Sequence, residues 1–405
     1  MSVVTVTVPR SVERQLFLLA CIELAVFGVV LTTLGAVLPA VVDRFGISMA
    51  DAGALFTLVT FGVLIGSLLF GPIVDRYGYK GMLCAATALI AVGLEGIAFA
   101  PSMLWMRASI ALVGIVGGMV NGGANSLAAD LSADGRSGGL AIVGSCFGIG
   151  AVGVPLALAA HVGPLSYTPV ISWSGLAVLV AVVYASALRY PPPKQSQGGA
   201  ALTDSRRLLG DPVLLLMGVI LFLESGIEGV IGGWTTTYAG QELGLGSRAS
   251  LLLLALFWFG LTLTRVALGT VFRGIAPIRA LFGCLTLAMA SVLLFVVTRS
   301  TSVATAAIFL LGCGLAGSFP IVLSFAGDRY AHLSGTAFSV VMTMALAGGM
   351  IYPYVVGVLG ASAGLRPAFL IVPASLVAEI GLLALVTRPS RYAGAPKPES
   401  GTTNA

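Results

Sequence analysis

Charge is scarce in this chain. Only 9% of its 405 residues are Asp, Glu, Lys or Arg, there are two histidines, His161 and His332, and there are five cysteines. The cysteines, Cys21, Cys84, Cys146, Cys284 and Cys313, all fall inside apolar runs with no metal-ligand spacing, so they read as small buried hydrophobes, and neither a disulfide framework nor a metal site is expected. No Walker loop, H-E-x-x-H or nucleophile elbow occurs, and the histidines stand in separate halves, which argues against an enzyme and implies no cofactor. No basic cluster of the kind that grips nucleic acid is present either. What fills the chain is apolar: 58% of residues are hydrophobic and the mean hydropathy is +1.03, more than a soluble core of this length could hide.

The partner is therefore a lipid bilayer. Crossing about 30 Å of hydrocarbon takes roughly 20 apolar residues at 1.5 Å each. The apolar stretches are continuous rather than alternating, so they are helices and not barrel strands. The fold class is an all-α membrane protein of twelve spans, near 16–42, 52–73, 81–100, 103–131, 139–161, 167–188, 213–240, 249–272, 279–298, 302–327, 335–361 and 367–387. The first run is too long for a signal peptide and reads as a retained helix. An even count puts both termini on one side. Fifteen Lys and Arg residues fall on that side, five on the other and Arg265 within a span, so both termini are expected to be cytoplasmic, in a cell (inner) membrane. The formal charge of +5 is largely this topology signal.

The longest polar stretch, residues 189–212, splits the chain into an N-terminal six-helix unit (1–188) and a C-terminal one (213–388), leaving a cytoplasmic tail from 389 to 405. Landmarks recur at a shift of 198: Gly46 and Gly244, Gly71 and Gly269, Asp130 and Asp328, Pro155 and Pro353. Duplicated bundles can rock about a site at the bilayer midplane, which is a transporter's design.

Between spans 2 and 3 lies "GPIVDRYGYKG". Gly71 would let a helix end pack closely, Gly78 supports a tight turn, and Arg76 and Lys80 suit a cytoplasmic loop, but Asp75 is an acid where topology needs only bases. The order Gly71, Asp75, Arg76, Gly78, Lys80 resembles the signature loop of the major facilitator superfamily. The resemblance implies twelve helices in two pseudo-symmetric bundles, and a latch in which Asp75 and Arg76 contact the facing half while the protein is open outward. The equivalent loop of the second half, "GTVFRGIAPIR", has Arg273 where the acid would be. Asp130 and Arg136, with Asp328 and Arg329, are candidate latch partners or ordinary interfacial charges.

Six charged side chains fall inside spans: Glu23, Glu95, Glu224, Glu228, Arg265 and Glu379. Each costs a few kcal/mol at the bilayer centre, so an unpaired position facing lipid is excluded in practice. Glu224 and Glu228 share one face of span 7, and two carboxyls so close need a proton or a cation between them, unless each is a structural hydrogen-bonding group. Asn121 and Asn125 share a face of span 4 among Gly117, Gly118, Gly122 and Gly123, placed either to bind a hydroxylated ligand or to glue helices together. Arg265 is expected to pair with a glutamate of another helix and to take part in gating. Trp258 could stack on a sugar ring or simply pack. Trp234 and Tyr238, ending span 7, read as an aromatic belt, and Pro155, Pro320 and Pro353 as bends. The superfamily resemblance sets spans 1, 4, 7 and 10 around a cavity, which makes Glu23 a further candidate for proton coupling beside Glu224 and Glu228.

"NGGANSLAAD", "GRSGGLAIVGSCFGIGAVGVP", "FLESGIEGVIGGWTTTY" and "FWFGLTLTRVALG" are similar to the fucose-permease branch of that superfamily. This implies a monosaccharide moved with protons, Glu228 and Arg265 matching the branch's span 7 glutamate and span 8 arginine. The chain departs from the branch at Gly35 or Ala36 and at Asn121, where carboxylates stand in fucose permease itself. The expected function is alternating-access transport of a small polar solute by a monomer, driven by protons or by the solute gradient alone. The alternatives are proton-antiport efflux of amphipathic compounds and, less well supported, a membrane sensor or enzyme.

Overall fold

The computed structural model describes residues 10–131, 136–161, 167–190, 210–272, 274–330 and 334–386. The N-terminal half contains α1 (Arg10–Phe45), α2 (Met49–Ala98), α3 (Met103–Leu131), α4 (Arg136–Ala160) and α5 (Thr168–Ala187). The C-terminal half contains α6 (Pro212–Leu243), α7 (Ser247–Gly269), α8 (Pro277–Val297), α9 (Thr301–Leu315), α10 (Ser318–Arg329), α11 (Ser334–Ala363), α12 (Leu365–Ala368) and α13 (Ile371–Val386). The expected tail lies outside the described residues, as does most of the expected linker.

Eleven helical segments among the described residues are long and apolar enough to cross a membrane, α9 with α10 and α12 with α13 each counting as one. One of the eleven is α2, whose 50 residues would reach about 75 Å if straight. It turns instead at Gly78, where φ is +76° and ψ 169°, a backbone that a side chain would strain. α2 is thus two crossings, the second and third, and the chain has the twelve spans of the expected fold. Gly71, by contrast, has open space around its Cβ position, so the close packing expected of it is not found.

The helix ends follow local chemistry. Ser48 caps α2, its hydroxyl accepting from the Asp51 amide at 3.1 Å. Asp211 caps α6 ahead of Pro212, and Gly244 closes that helix in the left-handed conformation at φ +66°. Gly46, its counterpart at the shift of 198, closes α1 at φ +59°. Pro155 and Pro353, another repeated pair, lie inside α4 and α11. Large apolar side chains such as Leu104, Val180, Val183 and Val297 are exposed, the surface a lipid-facing belt requires.

The two bundles meet along α1 with α6, α2 with α11 and α4 with α7. Glycine makes this seam tight. A Cβ on Gly35 would overlap the Gly232 carbonyl oxygen, and one on Gly53 would come within 3.0 Å of the Pro353 carbonyl oxygen. Thr236 Oγ1 donates across the seam to the Gly35 carbonyl at 2.6 Å, and Thr57 Oγ1 to that of Met350 at 2.8 Å. Phe56 packs on Trp234 with ring centroids 5.9 Å apart. All these residues lie on the half of the seam remote from the side where α1 begins and α13 ends. Trp234 and Tyr238 are fully buried here, not in an interfacial belt: Trp234 Nε1 donates to the Pro353 carbonyl at 3.0 Å, and Tyr238 stacks on Phe369 and Phe295.

Candidate functional site

α7 turns Trp258, Thr262 and Arg265 to one face, since positions four and seven apart fall near one line of a helix. That face meets the other bundle: Trp258 packs edge-on against Phe147 of α4 with centroids 5.6 Å apart, and Thr262 lies against Gly148. On α6, Glu228 sits one turn from Gly232, whose Cβ position is 2.8 Å from the Trp258 ring. Arg265 Nη2 and Glu228 Oε1 close a salt bridge of 2.7 Å, the expected partnership of the span 8 arginine with a glutamate. Both side chains keep about a fifth of their surface exposed, so the pair is neither dry nor freely solvated. Trp258 Nε1 and Arg265 Nε are buried without a hydrogen-bond partner. Two donors thus stand unused on the α7 face that meets the other bundle, one of them on the paired arginine itself.

Glu224 is fully buried one turn from Glu228, and neither of its oxygens is hydrogen-bonded. Asn125 Nδ2 donates to Asn121 Oδ1 at 3.0 Å and to the Asn121 carbonyl at 2.9 Å, so the half-buried amides hold each other. The glycines beside them do allow close packing: a Cβ on Gly118 would overlap the Val63 backbone, and one on Gly123 would overlap Met82. Glu23 does not join Glu228 and Arg265; it is fully buried and accepts from Thr87 Oγ1 of α2 at 2.8 Å. Glu95 accepts from Ser172 Oγ of α5.

In the loop around Gly78, Asp75 and Arg76 are exposed, and Arg76 lies over the ring of its neighbour Tyr77. Among the described residues neither makes an ion pair with the facing half. Lys80 Nζ donates to the Leu188 carbonyl at 3.3 Å, and Tyr79 OH donates to Asp130 Oδ2 at 2.8 Å, so both residues tie the loop to its own bundle. The Arg136 side chain lies outside the described residues. A cleft of about 380 Å³ lined by Ala157, His161, Trp173 and Ser174 belongs to α4 and α5 alone and is not shared between the halves.

Sequence reasoning missed Gly35 and Gly232 as a backbone-to-backbone contact of the seam, although paired small residues in spans 1 and 7 were a usable signal. It also left Glu379 and Ser318 without a role.

Twelve apolar crossings in two like bundles, a polar pair on the seam and charged side chains turned away from lipid define a multi-pass membrane transporter. The chain belongs to the Major Facilitator Superfamily, whose family model matches residues 17–346. It is 25% identical over 341 residues to the uncharacterized MFS-type transporter YfkL of Bacillus subtilis, covering 81% of this chain and 83% of that protein. Its fold is similar to that of the nucleoside transporter NupG, with a TM-score of 0.77 at 13% identity, over 93% of this chain and 100% of that one. The transporter FucP in its outward conformation gives 0.65 at 18% identity, over 92% and 98%.

Proposed function

We propose that this transporter moves a small hydroxylated solute, a monosaccharide or a molecule bearing a sugar ring, by alternating access, with movement coupled to protons through Glu228 and Glu224. The observation that carries this reading is the Glu228 and Arg265 pair on the seam, with the unused donors Arg265 Nε and, on the same face of α7, Trp258 Nε1. A hydroxyl or ring oxygen would satisfy those donors, and the indole supplies an apolar face for a sugar ring. Asn121 and Asn125 offer further amides from the opposite bundle, and Glu23 stands in reserve as a proton carrier. The names of two structural neighbours, a nucleoside transporter and FucP, agree with such a solute class.

With the termini in the cytoplasm of a cell membrane, the closed half of the seam is external and the state is inward-facing. The exposure of Asp75 and Arg76 then corresponds to a released latch, with Lys80, Asp130 and Arg136 as the other members of the gating set. The working unit is a monomer.

The test is a screen of solute-induced thermal shifts across sugars, organic acids and cationic drugs, followed by proteoliposome uptake of any hit with and without a pH gradient. A sugar-class hit accumulated by the gradient supports the reading. Hits confined to amphipathic cations would replace it with efflux.

A further inference from the structure

Deep in the C-terminal bundle Glu224, already part of the site above, has two polar neighbours that the site does not use. Glu224 on α6, Ser318 on α10 and Glu379 on α13 are each 0% exposed, and both oxygens of each carboxyl, with the Ser318 hydroxyl, lack a hydrogen-bond partner. They are neighbours. The helices that carry Glu224 and Glu379 pack on one another, Glu379, Glu228, Arg265 and the Cys284 thiol all lie within electrostatic reach of Glu224, and Ser318 lies beside Glu379. Cys313 is the titratable group facing Cys284 in turn.

The tenth span bends at the same place without ending: α9 stops at Leu315 and α10 begins at Ser318, and Ala316 and Gly317 between them keep right-handed helical dihedrals.

Each carboxylate taken out of water without a partner costs several kcal/mol, and two negative charges at close range add repulsion. One positive charge must therefore be held between them. A metal ion would need a shell of about six oxygens, whereas the two carboxyls and one hydroxyl supply five, and the described residues contain no cluster of three or more His, Cys, Asp or Glu able to hold a metal. A proton needs two oxygens.

We propose that Glu224 and Glu379, beside Ser318 at the bend in the tenth span, form a proton-binding dyad inside the C-terminal bundle, next in line to the Glu228 and Arg265 pair. The proton moves between carboxyl oxygens without any bond to carbon changing. The proposal leans on the transport reading only for the use made of that proton.

The test needs no solute. Purified protein in lipid nanodiscs is titrated from acid to alkaline pH while infrared difference spectra follow the protonated-carboxyl stretch, in wild type, Glu224→Gln, Glu379→Gln and the double variant, with thermal unfolding confirming that each is folded. The dyad predicts that wild type carries at neutral pH a protonated-carboxyl band missing from the double variant. Each single variant loses its band at a proton concentration about tenfold higher than wild type does, because the like charge that held the proton is gone. If the double variant does not fold, the single variants decide by that shift. A band of wild-type size in the double variant, or single variants titrating as wild type, overturns the dyad. A band that emerges only when sodium is replaced by choline would also overturn it, in favour of a bound cation. Failure of solute uptake leaves these spectra unaffected, so the two readings fail separately.

Discussion

Gly35→Ala is the smallest change that should move the whole protein. In the structure a Cβ at residue 35 falls on the Gly232 carbonyl oxygen, well inside the 3.0 Å that real Cβ atoms keep, and both atoms belong to helix backbones that cannot swing aside. Restoring ordinary contact requires α1 and α6 to part by about an ångström, and overpacking of this kind costs roughly 1–3 kcal/mol. The Thr236 hydrogen bond to the Gly35 carbonyl is stretched by the same movement. The penalty applies only where the half of the seam remote from the termini is closed, so it shifts the balance toward the other state by about 5- to 150-fold. Spin labels at Ser102 and Arg248, exposed positions of opposite halves on the side remote from the termini, report the spacing by pulsed electron resonance. Wild type should populate mainly the short distance and Gly35→Ala mainly a longer one. A folded Gly35→Ala protein with the wild-type distance distribution would refute the reasoning.

Glu228→Gln should abolish gradient-driven accumulation of a transported solute while sparing exchange, read in proteoliposomes; unchanged accumulation would place coupling elsewhere. The same variant leaves Arg265 without its counter-charge, so replacing both residues by Met should cost less in thermal stability than replacing Glu228 alone, the pattern of a half-buried pair. Trp258→Phe keeps a ring against Phe147 but removes the unused indole donor, and should weaken binding of a hydroxylated solute by about tenfold with little change in melting temperature. Asp75→Asn, exposed in this state, should change stability by less than about 0.5 kcal/mol yet slow transport, with equilibrium affinity held within severalfold; a lost binding signal would end the latch assignment. Gly78→Ala forces a side chain to φ +76° and should lower stability by about 1–2 kcal/mol, seen as a lower melting temperature.

The scaffold was legible because membrane folding obeys length and composition. Twelve apolar runs, the Gly78 turn, and the pairing of Gly46 with Gly244 could be read from residue types alone, as each depends on local backbone chemistry. Arg265 and Glu228 were legible for another reason: an intramembrane charge needs a partner, and few were on offer. Direction was not legible. These helices are apolar all round, so periodicity says little about which face meets lipid and which meets protein. Trp234 therefore read as interfacial when it anchors the seam, and Glu23 as facing the cavity when Thr87 holds it inside its own bundle. Glu379 was visible as a charge, but its neighbours Glu224 and Ser318 are set by how the sixth, tenth and thirteenth helices pack.

The central claim is that both bundles line one polar chamber, open to each face of the membrane in turn. The direct measurement starts from a variant lacking the five native cysteines, with single cysteines placed at 121, 125 and 228 and labelled by a membrane-impermeant thiol reagent applied to one side of sealed vesicles and then to the other. All three positions should react from both sides, faster from the side that holds the termini, with Gly35→Ala reversing that preference. Positions that react only with a lipid-soluble reagent, or from one side whatever the variant, would contradict it.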